Sequence, residues 1–223
     1  CRRALEVDPD FLFPWANTLL ALDNDAERLV AKGASPLATI ERGLEAAIAG
    51  EQRHPEWRWG PVWEASLRRL RAEYDLARGE DPGPALALAG QSLAKLAPYR
   101  ASFTDGDATE GEIAAVTAEA LLSRETSGER PAARSTPLEE ALVRGRRAFT
   151  RALSETPWDL GYAAWLTRVE VTELRYRVAL GEATNAHAEA VLAPLAPFLA
   201  EPRDSPMLYE VAARAREARA ELR

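Results

Sequence analysis

Apolar residues recur along this chain at helical intervals. In the stretch from Trp63 to Pro84 they fall at Trp63, Leu67, Leu70, Tyr74 and Ala77, offsets that share one face of an α-helix. Gly79 follows, a residue that tolerates the left-handed conformation just past a helix end, and Pro82 and Pro84 suit the first turn of a second helix. The spacing therefore predicts helix, tight turn, helix. The same offsets from Trp165 give Val169, Thr172, Tyr176 and Ala179, and Gly181-Glu182 stands where Gly79-Glu80 stood, 16 residues after the tryptophan. The two copies lie 102 residues apart, which accommodates two periods of about 51 residues. Weaker copies are read at Gly33, closing a pattern that starts near Trp15, and at Gly128-Glu129.

The units expected are 10–53, 57–98, 109–156 and 159–202, with a capping helix at 206–222. The first pairs a helix Phe11–Ala31, with Trp15, Leu19, Leu22, Ala26 and Leu29 inward, to a helix Leu37–Gly50 opened by Ser35-Pro36. The second pairs Trp59–Arg78 with Pro84–Leu96. The third is expected to open on a capping box, Thr109-Glu110-Gly111-Glu112, fed by a turn at Asp105-Gly106-Asp107. Its second helix opens on another box, Thr136-Pro137-Leu138-Glu139, with Arg124–Ser135 between them as a mobile polar loop. The fourth runs over Asp159–Leu180 and from Ala186 onward, where Pro194 and Pro197 should split the helix. Ser205-Pro206 caps Met207–Leu222, whose Leu208, Val211, Ala212 and Ala215 face inward while Arg214, Arg216, Glu217 and Arg219 face water, as the end of a stacked array requires. The fold class expected is all-α: an α-α superhelix, a solenoid of helical hairpins forming one repeat domain over 1–223.

Around Ala4 to Trp15 the chain resembles the junction between two tetratricopeptide repeats. Arg3-Ala4-Leu5, Asp8-Pro9 and Trp15 carry the likeness, and Arg151-Ala152-Leu153 with Pro157 repeats it 148 residues on. Past Trp15 the chain departs from that family, with Thr18 and Leu19 where a leucine and a glycine are usual, and with a period well above the family's roughly 34. The Ala/Arg/Leu-rich style, the long hairpins, the Gly-Glu turns and the Ala-Leu-x-x-x-Pro exit resemble the tetratricopeptide-type C-terminal region of bacterial, notably myxobacterial, serine/threonine protein kinases. That resemblance implies a protein-interaction or regulatory part of a larger signalling protein, with a catalytic domain upstream of Cys1. No kinase residue transfers onto this segment, so no catalytic residue is expected in it.

Composition narrows the class of partner. A net charge of −7 argues against nucleic acid or an anionic membrane surface, both of which need a concentrated positive field. No apolar run reaches the roughly 18 residues of a membrane span, so no insertion is expected. A single cysteine rules out an internal disulfide framework and fits a reducing, cytoplasmic setting. The chain starts at Cys1 and not at Met, so it reads as part of a longer protein, cut within the array on its N-terminal side and ending at the capping helix.

Candidate chemistry is sparse. His54 and His187 lack metal-ligand or triad spacing, and neither metal nor cofactor is expected. Asp105-Gly106-Asp107 fails as a calcium loop, because glycine comes late at Gly111 and Val116 stands where a bidentate glutamate is needed. Glycine-rich phosphate loops and kinase motifs are missing from the sequence. Binding is expected first at Trp57, Arg58 and Trp59, since Trp and Arg supply much of the energy at interfaces. The alternative there is that Trp59 and Trp63 are core and only Trp57 is partly exposed. A second candidate is charge register on the inner helices, with Glu64, Arg68 and Arg71 in one unit and Glu170 and Glu173 beside Leu166 in another, which could read a protein or peptide ligand. A competing expectation is a small-molecule or enzymatic pocket in the concave face near Trp57, Trp59 and Tyr74. A third is a spacer whose concave face its own side chains fill.

Overall fold

The abundance of Ala, Leu, Arg and Glu is expressed as helix throughout the described residues of the computed structural model, 2–8, 10–102, 104–127, 134–195 and 206–222, among which there is no strand. The helices are α1 (Arg2–Val7), α2 (Leu12–Ala31), α3 (Leu37–Arg53), α4 (Trp59–Ala77), α5 (Gly83–Ala94), α6 (Thr104–Thr126), α7 (Thr136–Glu155), α8 (Leu160–Leu180), α9 (Asn185–Leu192) and α10 (Pro206–Ala220). Short 3₁₀ turns follow α5 at Ala97–Ser102 and α9 at Ala193–Leu195.

The helix ends explain most of the expected boundaries. Gly33, Gly79 and Gly181 all adopt positive φ, at 66°, 74° and 73°. Each closes its helix by the same pair of bonds. Gly33 N donates to Val30 O and Ala34 N to Leu29 O; Gly79 N donates to Leu76 O and Glu80 N to Asp75 O; Gly181 N donates to Val178 O and Glu182 N to Arg177 O. This double closure satisfies carbonyls that the helix leaves open. Asp159 caps α8 by accepting a bond from Tyr162 N at 3.0 Å.

Three expected starts are displaced. Helix α6 begins at Thr104, so Thr109 is a buried residue inside the helix and not its cap, and Asp105-Gly106-Asp107 is helical and not a turn. Ser135, not Thr136, is the N-cap of α7, and Pro36, not Ser35, that of α3. Pro194 lies in a 3₁₀ turn after α9, as its missing N–H demands. Gly128-Glu129, Pro197 and Ser205 lie outside the described residues.

The chain divides into two compact units, Cys1–Val116 and Thr117–Arg223. In the first, α4 packs on α2, α3 and α5. Leu19, Ala26, Ile40, Ala47, Trp57, Leu67 and Leu70 form its main core, and Val62, Ala65, Leu93 and Leu96 a second cluster against which Ile113 packs. With neighbours on several sides, α4 is buried beyond the single face its pattern suggests: Ala65 and Ala72 are enclosed, while Ala77 at its end is exposed. Gly43 lets α3 approach closely, since a Cβ there would sit 2.6 Å from Leu67 Cδ1. In the second unit α8 packs against α7, α9 and α10. Ala164 and Val171 meet Val211, Ala212 and Ala215, and Phe149 stacks on Trp165 at 6.1 Å.

Candidate functional site

In the first unit the chain leaves α3 through a turn, His54–Arg58, in which Trp57 N donates to His54 O at 2.9 Å. That turn folds Trp57 onto Gly50, where a Cβ would lie 2.7 Å from the ring. Trp57 is therefore core at 6% exposure, whereas Trp59 is 39% exposed, the reverse of the alternative drawn from the sequence. Trp63 is half-buried against the same core. Arg58 stays at the surface with its guanidinium 4.3 Å above the Tyr99 ring. Glu51, Glu56, Arg58, Lys95 and Tyr99 line a cavity of about 250 Å³ floored by Trp57. Trp59 and Tyr74 are not among its walls; Tyr74 lies half-buried on α4 with Arg78 5.6 Å from its ring.

The charges expected to face a groove on α4 are occupied within the fold. Glu64 is 4% exposed and accepts from Lys95 at 2.6 Å and from Arg68 at 2.5 Å. Burial pushes its carboxyl up, but the bonds from Lys95 and Arg68 outweigh this and hold it below the usual range. Lys95 also reaches Glu51 at 2.8 Å, tying α3, α4 and α5 together. Arg71 donates to Asp75 one turn on, at 2.7 Å. Glu64 is thus a strut and not a surface reader.

A second cluster was not visible in the sequence. Arg69, with 2% of its side chain exposed, lies 2.6 Å from Glu73, 2.9 Å from Glu112 and 3.3 Å from Glu27. Its Nη2 also reaches Ser66 at 3.2 Å, and Asp23 completes the group. Burial pushes the Asp23 carboxyl up to about 6 against the pull of Arg69, with Glu27 adding to the rise. Burial likewise pushes Glu112 up to about 7, again opposed by Arg69 and reinforced by Glu27, Asp23 and Glu73. Asp23 and Glu112 thus hold protons toward neutral pH, and the network joins α2, α4 and α6.

In the second unit the structure brings Glu170 and Glu173 onto one half-buried ridge of α8. Glu173 accepts from Arg146 of α7 and from Arg177, the latter at 2.7 Å. Glu170 is half-buried, and burial raises its carboxyl against the influence of Arg146. On one side of the ridge a groove of about 190 Å³ runs past Glu139, Arg146, Tyr176 and Leu180. On the other, one of about 180 Å³ is walled by Glu170, His187 and Val191. His187 is no free surface residue: it forms a capping box with Thr184, whose N–H donates to its Nδ1 at 3.1 Å. Deeper in the unit, Glu119 bonds Arg168 at 2.8 Å and Arg214 at 3.2 Å. Burial would raise Glu119, but the attraction of Arg168 and Arg214 holds it below the usual range.

No protein-family model, curated protein or solved structure matches this chain. Its class rests on its own geometry: an all-helical protein of helices packed on one another, with shallow grooves of mixed charge. Among the described residues no helix is long and apolar enough to cross a membrane, and no group of three His, Cys, Asp or Glu is placed to hold a metal ion.

Proposed function

We propose that the chain is a protein-interaction module, a superhelical stack of tetratricopeptide-like hairpins within a larger signalling protein such as a serine/threonine kinase. The observation that carries this reading is the congruence of the turns at Gly33, Gly79 and Gly181, closed by the same two backbone bonds at nearly the same φ. Duplication of one helical-hairpin unit leaves that kind of signature, and stacked hairpins present extended surfaces for polypeptide ligands. The grooves flanking the Glu170–Glu173 ridge support it further, being shallow and bordered by both signs of charge, which suits the side chains of a polypeptide. Selection of a displayed random-peptide library on the purified chain tests the reading. Enrichment of one sequence class whose members compete with one another is expected; a library that stays unenriched overturns it.

A small-molecule sensor is the second reading, favoured by the cavity over Trp57, which is lined by both Arg58 and Lys95 and by Glu51 and Glu56. Ligand-observed NMR with a library of small zwitterions would support it if hits were lost on Tyr99→Ala. Hits indifferent to that change, or none, would remove it.

A further inference from the structure

We propose that the outer face of α7 docks an acidic amphipathic segment of a partner protein, an assignment that rests on the interaction-module reading. Val143, Arg147, Thr150, Arg151 and Ser154 are exposed at offsets 0, 4, 7, 8 and 11, a single stripe along the helix, with Arg146 beside them. An open hollow of about 550 Å³ lies over these residues, and none of its walls is acidic. Val143, 60% exposed, gives it an apolar anchor point. The stems of the arginines widen that apolar floor while their charged heads form a rim.

This stripe stands out in a chain of net charge −7. Arg146 is already paired with Glu173. Arg147, by contrast, makes no ion pair among the described residues. The hollow continues into the groove beside α8, with which it shares Val143 and Arg146, and there Leu142 and Leu180 add apolar surface. The stripe from Val143 to Ser154 spans about 16 Å of helix, the length of roughly three turns of a partner helix. A segment with an apolar side chain seated on Val143 and a carboxylate one turn on meets Arg147, as complementary charge demands.

The test uses the whole chain and a fluorescein-labelled peptide of about twelve residues, with leucines at offsets 0, 4, 7 and 11 and glutamates elsewhere, long enough for three helical turns. Its lysine counterpart and a 20-nucleotide single-stranded DNA serve as the other probes. Anisotropy is expected to show saturable binding of the acidic peptide alone, weakened at least about fivefold by Arg147→Glu and about threefold by Val143→Ser. Arg216→Glu makes the same change of charge at an exposed position of α10, off the stripe, and should leave the affinity unaltered. Circular dichroism checks that the variants stay folded, which substitution at exposed positions favours.

No binding of the acidic peptide, equal losses from Arg216→Glu and Arg147→Glu, or tighter binding of the DNA would each overturn the assignment. Library-selected peptides of another composition, indifferent to Arg147→Glu, would also overturn it while leaving the module reading intact. A library that yields no binder brings down the module reading itself.

Discussion

Arg69 shows how much a single position can contribute here. Its guanidinium lies at 2% side-chain exposure among Glu27, Glu73 and Glu112, so removing it leaves the largely buried Glu73 and Glu112 without their counter-charge. Arg69→Met should therefore cost about 3–5 kcal/mol of stability, measured by urea unfolding. A loss under about 1 kcal/mol, the range of exposed pairs, would mean the cluster is more hydrated than the structure indicates. This residue was illegible in the sequence for a physical reason. Helical periodicity assigns arginine to the outside, and the packing that brings Glu27 of α2 and Glu112 of α6 to it, beside Glu73 on its own helix, makes an inward arginine tolerable. The exchange of Trp57 and Trp59 has a similar origin. Both sit at a helix junction, where the direction of the turn, not periodicity, decides which ring meets Gly50.

At the scale of elements the sequence was far more readable. Gly79 and Gly181 were assigned to helix ends from spacing alone, and both have the required positive φ. Nothing lies within 4 Å of a Cβ added at Gly79, so Gly79→Ala carries only the conformational penalty, about 1 kcal/mol, detectable as a shift in the urea midpoint. Gly43→Ala tests something else. Its Cβ would press on Leu67 Cδ1 at 2.6 Å, so overpacking of about 1–3 kcal/mol competes with the gain of about 1 kcal/mol that alanine brings to a helix interior. Net destabilisation is expected, relieved by Leu67→Ala in the double variant; additive losses would show that the α3–α4 contact yields elsewhere. The start of α6 was misplaced because Thr109-Glu110-Gly111-Glu112 satisfies a capping rule that the helix, already under way from Thr104, has no use for.

For the whole molecule, α6 carries two carboxylates of opposite behaviour, Glu112 raised to about 7 and Glu119 held low. Unfolded carboxylates titrate near pH 4. Asp23 and Glu112 keep their protons in the fold up to about 6 and 7. Between pH 4 and 7 the folded state therefore binds more protons than the unfolded one, and the stability these groups confer is lost as pH rises through that window. Glu119 acts in reverse: its contribution is present above its unfolded value and fades only in acid. Stability of the first unit should thus fall by on the order of 3 kcal/mol from pH 5 to pH 8. Hydrogen exchange corrected for intrinsic rates would locate this loss in α2, α4 and the first half of α6, with a separate loss at α8 from Glu170, whose carboxyl burial also raises. Asp23→Asn with Glu112→Gln should flatten the dependence; an unchanged slope would place the responsible groups elsewhere.

The exposed indole just ahead of the Asp159 cap has a practical use. Trp158 is 77% exposed, whereas Trp57 and Trp165 are each 6% exposed. Iodide should quench the red-edge emission of Trp158 most strongly and Trp59, 39% exposed, less, while the two shielded rings keep a bluer fluorescence. Events near the start of α8 could then be followed optically, with no dye attached, and Trp158→Phe would supply the blank.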